Sequence, residues 1–286
     1  MPLNKEKGSV SAIIKRYGIR AKKKYGQNFL TDENTLNKIV SNASISKEDI
    51  VIEIGPGTGS LTRRLSEAAE YVFAFEIDEG LIPVLNETLR PYGNVTVIKG
   101  DILKVDINQF LEEQNIRKKV CVVANLPYYI TTPILMMLLE AKAPIKSITV
   151  MIQKEVAERL TSPPGRKTYG ALTLAAAYYS QPEILMEVPP SCFIPPPKVQ
   201  STVVRLKIRE APPVSVKDEK MLFSVIRASF NQRRKTLFNG LKNDPKVDVS
   251  PEIISGAIEK LGRGSSVRGE QLSLEEFAYL TDLLIP

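Results

Sequence analysis

The chain has 286 residues, a net charge of +7 and 43% hydrophobic residues, with two cysteines and no histidine. This length predicts about two domains, and the lack of histidine excludes imidazole acid–base catalysis and Cys/His zinc sites. The apolar runs are shorter than the ~18 residues of a membrane span, and no disulfide framework is indicated. The basic excess favours a polyanionic partner, above all nucleic acid, and we expect a cytoplasmic protein without a membrane role.

The N-terminal segment is strongly basic between positions 15 and 24. Its cations are Lys15, Arg16, Arg20, Lys22, Lys23 and Lys24, with no acid among them. Charge alone leaves two interpretations open, a solvated basic tail and a contact with a polyanion. The sequence at 31–34 then predicts the cap of a helix over 34–42.

Residues 50–59, with the sequence IVIEIGPGTG, combine a short apolar strand with a glycine-rich turn. The helical spacing of Leu61 and Leu65 follows, so backbone N–H groups and a helix dipole meet at one point and favour a ligand there. Glu53 would repel a pyrophosphate, and Ser60 replaces the third glycine of the dinucleotide fingerprint. The pattern therefore favours a cationic ligand, with a purely structural turn as the alternative.

From residue 50 onward, apolar strands alternate with helical patterns, which is typical of a mostly parallel, doubly wound α/β sheet. The predicted strands are 50–54, 71–77, 95–98, 120–124 and 148–152, and the polar residues at their ends are Glu53, Glu76, Asp101, Asn125 and Gln153. Because the carboxyl ends of parallel strands share one edge of the sheet, these side chains predict a single site. The alternative is a separate turn-forming role for each residue.

The residues at this edge match a nucleoside with a cationic tail. Glu76 lies about 20 residues beyond the glycine turn, where a carboxylate accepts hydrogen bonds from ribose hydroxyls. Asp101 could take an adenine amino group while Ile77 and Ile102 sandwich the ring, and Glu53 and the loop glycines would hold the tail. A purine nucleoside with a cationic tail and no phosphate describes S-adenosylmethionine.

Residues 125–128 read Asn-Leu-Pro-Tyr, the sharpest short motif in the chain. Pro127 fixes the turn and has no N–H, so the Asn125 side-chain carbonyl and the Leu126 main-chain carbonyl can both face the site beside the Tyr128 ring. Two acceptors hold the protons of an exocyclic amine and direct its lone pair at a methyl donor, so this chemistry needs no general base. An ordinary Asn-x-Pro turn is the competing interpretation.

Strands at 183–188 and 203–208 are predicted to close the sheet. Between them, 193–201 is a proline-rich loop on which Phe193 is either a hydrophobic staple or a base-stacking platform. Pro212 and Pro213 mark the boundary between a first domain, 1–210, and a helical second domain, 211–286.

The second domain is predicted to begin with one long helix, followed by helices over 251–261 and 273–284. The apolar stripe of the long helix is Leu222, Val225, Ile226, Phe230, Leu237 and Leu241. The basic residues near this stripe are Arg227, Arg233, Arg234 and Lys235. They indicate either a solvated face or a phosphate-contacting one.

Together these stretches resemble the KsgA/RsmA-type family of small-subunit ribosomal RNA adenine N6,N6-dimethyltransferases over nearly the whole chain. The matching motifs are 27–30 (QNFL), 53–59, Glu76, 100–102 (GDI), 125–128, 153–160, 193–201 and 230–235 (FNQRRK). The resemblance implies a Rossmann-like S-adenosylmethionine-dependent methyltransferase sheet with a small all-α C-terminal domain that binds RNA. Residues 1–30 would form a basic segment and a lid over the cofactor.

The resemblance also implies residue roles. Cofactor contacts would come from Gln27, Asn28, Leu30, Glu53, Gly55, Gly57, Glu76, Ile77, Asp101, Ile102 and Asn125, with Asn28 and Leu30 closing over the methionine end. Asn125, Leu126 and Pro127 would engage the target amine, and Tyr128 and Phe193 would stack on a flipped adenine. The residues assigned to RNA are Arg20, Lys22, Lys23, Lys24, Arg227, Arg233, Arg234 and Lys235.

The implied substrate is a pair of adjacent adenosines in the 3′-terminal hairpin of 16S rRNA, each methylated twice, within an assembling small ribosomal subunit. We therefore expect a role in ribosome biogenesis, a monomer and no metal. Three rivals stay open: a large-subunit rRNA dimethyltransferase of the macrolide-resistance type, a non-catalytic RNA-binding assembly factor, and a DNA adenine methyltransferase. The 193–201 loop and the Arg-Arg-Lys run favour the small-subunit family.

Overall fold

The computed structural model describes residues 10–285, with the side chain of Lys23 excepted. The RNA contact predicted for Lys23 and the first nine residues of the predicted lid segment therefore lie outside the described residues. Within 10–285 the strands are β1 (Phe29–Leu30), β2 (Ile50–Ile54), β3 (Tyr71–Glu76), β4 (Val95–Lys99), β5 (Val120–Asn125), β6 (Ile145–Gln153), β7 (Ser180–Val188), β8 (Phe193–Ile194) and β9 (Ser201–Ile208).

The helices alternate with the strands in the first two thirds of the chain and dominate the last third. They are α1 (Val10–Arg16), α2 (Glu33–Asn42), α3 (Ser60–Ala68), α4 (Ile82–Thr88), α5 (Ile107–Glu113), α6 (Thr131–Glu140), α7 (Lys154–Leu160), α8 (Ala171–Tyr179), α9 (Glu219–Asn231), α10 (Leu237–Lys242), α11 (Pro251–Lys260) and α12 (Leu274–Leu284). Every helix within the described residues is too short or too polar to cross a membrane.

Among the described residues, seven strands form one sheet in the order β4-β3-β2-β5-β6-β9-β7. Strands β2 to β6 run parallel, and β9 is antiparallel to β6. The predicted α/β class is confirmed, because parallel pairing follows from the βαβ connections. The carboxyl ends of β2, β3 and β5 therefore meet at one edge. A separate two-residue antiparallel ladder joins β1 to β8.

The central strands are buried on both faces, which explains their near-continuous apolar sequence. Val51 and Ile52 of β2 and Val123 of β5 have no exposed surface. Leu36 of α2 and Leu65 of α3 belong to the same apolar cluster as Val51. Truncation of Leu65 to alanine would cost roughly 2–5 kcal/mol, because it opens a cavity in that cluster.

The described residues fall into two compact units, one comprising 10–157 and 183–208 and the other 158–182 and 209–285. Segment 158–182, which the sequence assigns to the first domain, thus groups with the C-terminal helices. In that second unit, α8 packs on α9 through T-shaped and stacked rings of Tyr178, Tyr179 and Phe223. The division into a catalytic and an RNA-binding domain remains a prediction.

The prediction of one long helix at the start of the second domain is wrong. Helix α9 ends at Asn231, and α10 begins only after Thr236, whose side chain caps it by accepting from the main-chain N–H of Asn239. We call residues 232–235, between the two helices, the basic turn. It is closed by a hydrogen bond from the N–H of Lys235 to the carbonyl of Gln232.

Candidate active site

The glycine turn after β2 depends on backbone conformations that favour glycine. Gly55 and Gly57 have φ angles of 71° and 59°, in the left-handed region that side chains rarely adopt. A Cβ atom on Gly57 would also lie 3.2 Å from the ring of Phe29, so that ring would have to shift to admit a side chain there. The turn thus lies against Phe29 of the predicted lid.

A cleft of about 830 Å³ opens at this edge of the sheet. Four stretches line it, namely 25–30, 53–61, 76–77 and 125–129, together with Leu36. Most of the predicted cofactor and amine contacts come together here: Gln27, Asn28, Leu30, Glu53, Gly55, Gly57, Glu76, Ile77, Asn125, Leu126, Pro127 and Tyr128. The parallel register of β2, β3 and β5 produces this convergence.

Three predicted site residues are not among those that line the cleft in the described structure. Asp101 caps the turn after β4 by accepting from the N–H of Leu103, and Ile102 is buried. The charge of Asp101 nevertheless adds to the effect of burial in raising the pKa of Tyr129 at the cleft. Phe193 is 3% exposed and pairs with Leu30 across the β1–β8 ladder.

Glu53 is a buried acid that lacks a full set of partners. Its side chain is 1% exposed, and its Oε2 atom has no hydrogen-bond partner in the described structure. Burial raises the pKa of Glu53 to about 8, and the nearby charge of Glu76 adds to the rise. A buried carboxylate in this state is stabilised by a cation. The site thus fits the positively charged end of S-adenosylmethionine.

Glu76 connects the end of β3 to the glycine turn. Its Oε1 accepts from the N–H of Asp78 at 2.8 Å, and its Oε2 accepts from the N–H of Gly57 at 3.1 Å. Burial raises the pKa of Glu76, while these two backbone bonds oppose the rise. The carboxylate is therefore fixed in orientation and keeps lone pairs for the hydroxyls of a ribose.

Asn125 ends β5, and its amide nitrogen is already engaged. Nδ2 donates to the main-chain carbonyl of Asn28 in the predicted lid at 3.2 Å. The side-chain carbonyl of Asn125 is thus the group left for a substrate. The hydroxyls of Tyr128 and Ser201 lie 2.8 Å apart, and Ser201 has no exposed surface. That hydrogen bond holds the Tyr128 ring beside Asn125.

Comparison with known proteins decides the family. A family model described as ribosomal RNA adenine dimethylase matches residues 18–272. The chain belongs to the ribosomal RNA adenine dimethylase family. Membership confirms the predicted methyltransferase fold, the rRNA adenine dimethyltransferase activity and S-adenosylmethionine as the cofactor.

The relatives agree in sequence and in structure. Curated relatives called ribosomal RNA small subunit methyltransferase A include one from Lachnoclostridium phytofermentans, 56% identical over 95% of this chain and 94% of its own. Another, from Bacillus cereus, is 50% identical over 96% of this chain and 94% of its own. A dimethyladenosine transferase from Plasmodium falciparum superposes with a TM-score of 0.72 at 27% identity, covering 88% of this chain and 95% of that one. The 23S rRNA methyltransferase ErmE gives 0.67 at 27% identity, over 91% and 100%.

The basic residues of the N-terminal segment differ in their surroundings. Lys22 forms an ion pair with Asp78 at 2.6 Å, and Lys24 lies 4.4 Å from the centre of the Tyr25 ring. Arg20 is exposed and has no ion pair or side-chain hydrogen bond within residues 10–285. Among the described residues, Arg20 and Lys24 of this dimethylase are therefore exposed without an ion pair, whereas the half-exposed Lys22 is paired with the buried Asp78.

The basic residues of the second unit divide in the same way. Arg233 donates to the main-chain carbonyls of Lys167 and Tyr169 at 2.8 and 3.2 Å, and to Glu270 at 2.9 Å. Arg227 lies over the ring of Phe223, in its own helix. In contrast, the side chains of Arg234 and Lys235 are exposed and have no such partner in the described part of the chain.

The sequence analysis missed functional neighbours of the cleft. Tyr25 and Tyr129 line it, and Gly26 lies against Tyr129 because a Cβ atom on Gly26 would be 3.2 Å from that ring. Tyr129 directly follows the Asn-Leu-Pro-Tyr motif, and this position in the sequence is the signal that could have identified it as a residue of the cleft. Asp78, two residues beyond Glu76, is a further neighbour that the sequence analysis did not assign to the site, although it binds Lys22 and Gln27.

Proposed function

We propose that this dimethylase transfers methyl groups from S-adenosylmethionine to N6 of two adjacent adenosines in the 3′-terminal hairpin of 16S rRNA, within the small ribosomal subunit. The observation that carries the proposal is the Asn125 amide, held by the lid at the same cleft as Glu53 and Glu76. The curated relatives named for the small subunit support that subunit over the large one.

The residues around the cleft have distinct roles in this proposal. When bound, S-adenosylmethionine supplies a methyl group carried on a sulfonium. The carboxylate of Glu53 pairs with the cationic end of the cofactor, and the fixed carboxylate of Glu76 accepts hydrogen bonds from the ribose hydroxyls. Asn28 and Leu30 close over the methionine end, while Asp101 takes the adenine amino group at the rim.

The amine is prepared by acceptors alone. The side-chain carbonyl of Asn125 and the main-chain carbonyl of Leu126 accept the two N6 protons, which turns the nitrogen lone pair toward the methyl donor. Positive charge develops on N6 during transfer, and the same carbonyls stabilise it. The proton then leaves the methylated amine for water, so a chain without histidine can complete the reaction.

Stacking holds the base in place. Tyr128, oriented by Ser201, is placed to stack on the flipped adenine. Phe193 is buried beside Leu30, so its stacking role requires the β8 segment to shift when RNA binds.

The RNA contacts come from the exposed cations. Arg20, Lys24, Arg234 and Lys235 are the described basic residues of the predicted set that are best placed to meet phosphate. We further propose that the enzyme acts as a cytoplasmic monomer on an assembling small subunit and so contributes to ribosome biogenesis.

Methyl transfer to ribosomal subunits tests the function. Labelled S-adenosylmethionine would be incubated with small subunits lacking the modification, with large subunits and duplex DNA in parallel, and digested RNA analysed for dimethyladenosine. We expect label in small-subunit rRNA alone, and its loss in Asn125→Ala while cofactor binding survives. Label on large subunits alone would assign the chain to the resistance-type enzymes. Cofactor binding with no transfer would favour a non-catalytic assembly factor.

A further inference from the structure

A second acid follows the ribose-binding carboxylate at the end of β3. Asp78 is 2% exposed and accepts three hydrogen bonds, from Lys22 Nζ at 2.6 Å, from Gln27 Nε2 at 2.9 Å and from the N–H of Gly80 at 3.0 Å. Its own N–H donates to Glu76. Helix α4 begins only at Ile82, after Leu81, so Asp78 closes a local turn through its bond to Gly80, and the two contacts with the N-terminal segment require another explanation.

The two residues of the N-terminal segment that bind Asp78 are also joined to each other, through the main chain of Lys22 and the side chain of Gln27. The N–H of Lys22 donates to Oε1 of Gln27 at 2.8 Å, which closes a loop over residues 22–27. This loop turns at Gly26, where φ is 56°, and continues directly into Asn28. We call residues 22–30 the lid. Asp78 therefore holds the lid at the loop that precedes its cofactor-covering residues.

On its other side, Asp78 reaches the cofactor-binding acid. Through its N–H it orients Glu76, whose second oxygen accepts from Gly57 in the glycine turn. Phe29 of the lid in turn lies against Gly57. The lid, the ribose carboxylate and the glycine turn thus form one closed ring of contacts with Asp78 as a member.

The contact between Asp78 and the lid depends on the charge of the Asp78 carboxylate. The Asp78 side chain is 4% exposed and that of Lys22 is 44% exposed. Burial opposes ionisation of Asp78, but the Lys22 ammonium and the Gln27 amide more than offset it and lower its pKa below the ordinary value. An ionised and buried carboxylate offers its donors a negative charge and two acceptor oxygens, whereas an amide of the same shape has one uncharged acceptor oxygen and would leave a donor without a partner.

We propose that Asp78 is a positioning residue that holds the lid closed over S-adenosylmethionine through Lys22 and Gln27 and so sets how long the cofactor stays bound. The inference rests on the proposed function only in taking this cleft as the cofactor site. In this role Lys22 belongs to the lid rather than to the RNA-contacting cations.

The test is a split between cofactor retention and chemistry. In Asp78→Asn we expect the dissociation rate of tritiated S-adenosylmethionine and its KM to rise about tenfold, which corresponds to loss of one charge-assisted contact, with kcat within about twofold. Lys22→Met should act in the same direction, whereas Lys22→Arg should restore retention. Glu79→Gln is the matched control, because Glu79 is an exposed acid next to Asp78 that pairs with Lys99.

The possible results distinguish failure of the lid proposal from failure of the proposed substrate. If Asp78→Asn fails to fold, Lys22→Met decides alone, since Lys22 is half-exposed and its replacement leaves the core intact. Unchanged dissociation in Lys22→Met overturns the proposal, as does weaker small-subunit binding with normal cofactor kinetics. Failure of wild-type protein to methylate small subunits would contradict the proposed substrate but not the lid, because retention is measured without RNA.

Discussion

The cofactor cleft and the basic turn each contain an ionisable side chain that the protein has bound and a neighbouring one that it has not. In the cleft, Asp78 is fully hydrogen-bonded, whereas Oε2 of Glu53 has no partner within residues 10–285. In the basic turn, Arg233 is tied to its own unit, whereas Arg234 and Lys235 extend into solvent. The bound side chain shapes each region, and we expect the other to meet a ligand.

The difference between the two regions lies in burial. Glu53 is enclosed, so its charge is costly without a partner and a single small cation can match it. The cations of the basic turn are hydrated, so each contributes little alone and several must act together on a polyanion. Affinity for the cofactor should therefore depend on one residue, and affinity for RNA on many.

The largest expected effect concerns Glu53. Glu53→Gln keeps the shape of the side chain but removes the charge that faces the cationic ligand, so we expect the cofactor Kd to rise roughly 30- to 100-fold. Isothermal titration with S-adenosylmethionine measures it, with Glu79→Gln as the exposed control. Wild-type affinity in Glu53→Gln would show that the unpaired oxygen does not serve the ligand.

The pH dependence of the ligand-free protein provides a second test of Glu53. Its pKa is about 8 when folded, against an ordinary value of 4.5, so between these values the folded state holds the additional proton. The stabilisation is complete below the unfolded pKa and is lost as pH rises through about 8, at a cost on the order of 5 kcal/mol. The buried acid Glu76 acts in the same direction.

Urea unfolding between pH 5 and 9 measures this decline. The chain has no histidine, so few other groups titrate in that window. In Glu53→Gln the decline should be smaller. An equal slope in both proteins would contradict the assignment.

A smaller effect is expected in the basic turn from Arg233. Arg233→Ala removes hydrogen bonds to two main-chain carbonyls and one carboxylate, and we expect a loss of about 1–2 kcal/mol in the free energy of unfolding after allowance for solvent. Urea unfolding measures it against Arg234→Ala, which should change stability by less than about 0.5 kcal/mol. Equal losses would end the distinction between the two arginines.

The smallest effect is expected from the exposed pair. The double change Arg234→Ala/Lys235→Ala should weaken small-subunit binding roughly tenfold at low salt and reduce the salt slope by about 2, because two phosphate contacts are lost. Filter binding over a salt series measures both quantities. Cofactor affinity should not change. A salt slope like that of the wild type would remove these residues from the RNA-binding set.

The cleft could be predicted from sequence because the same pattern, a polar residue at the end of an apolar strand, recurs along the chain. Glu53, Glu76 and Asn125 each end a parallel strand, and the βαβ connection brings such ends to one edge whatever the intervening sequence. The glycine turn and the Asn-Leu-Pro-Tyr motif are local sequence patterns, so they too could be predicted.

The contacts that the sequence did not reveal join distant residues. Lys22 and Asp78 are 56 positions apart, and no local sequence pattern indicates that they form an ion pair. The break between α9 and α10 was hidden because Phe230 and Leu237 lie seven residues apart, so the apolar stripe keeps its phase across the turn. Arg233 is bound there by carbonyls of another segment. The burial of Phe193 likewise follows from a ladder with β1.

The hydrogen bond from Asn125 to the main chain of Asn28 also bears on which bases can enter the cleft. With its nitrogen engaged, the amide offers only an oxygen, and an oxygen accepts only from a base that carries an amine at this position. Guanine and hypoxanthine would set a carbonyl against it and lose the contact. We therefore expect the orientation of this one side chain, fixed by the lid, to make the closed enzyme reject an inosine at the target position.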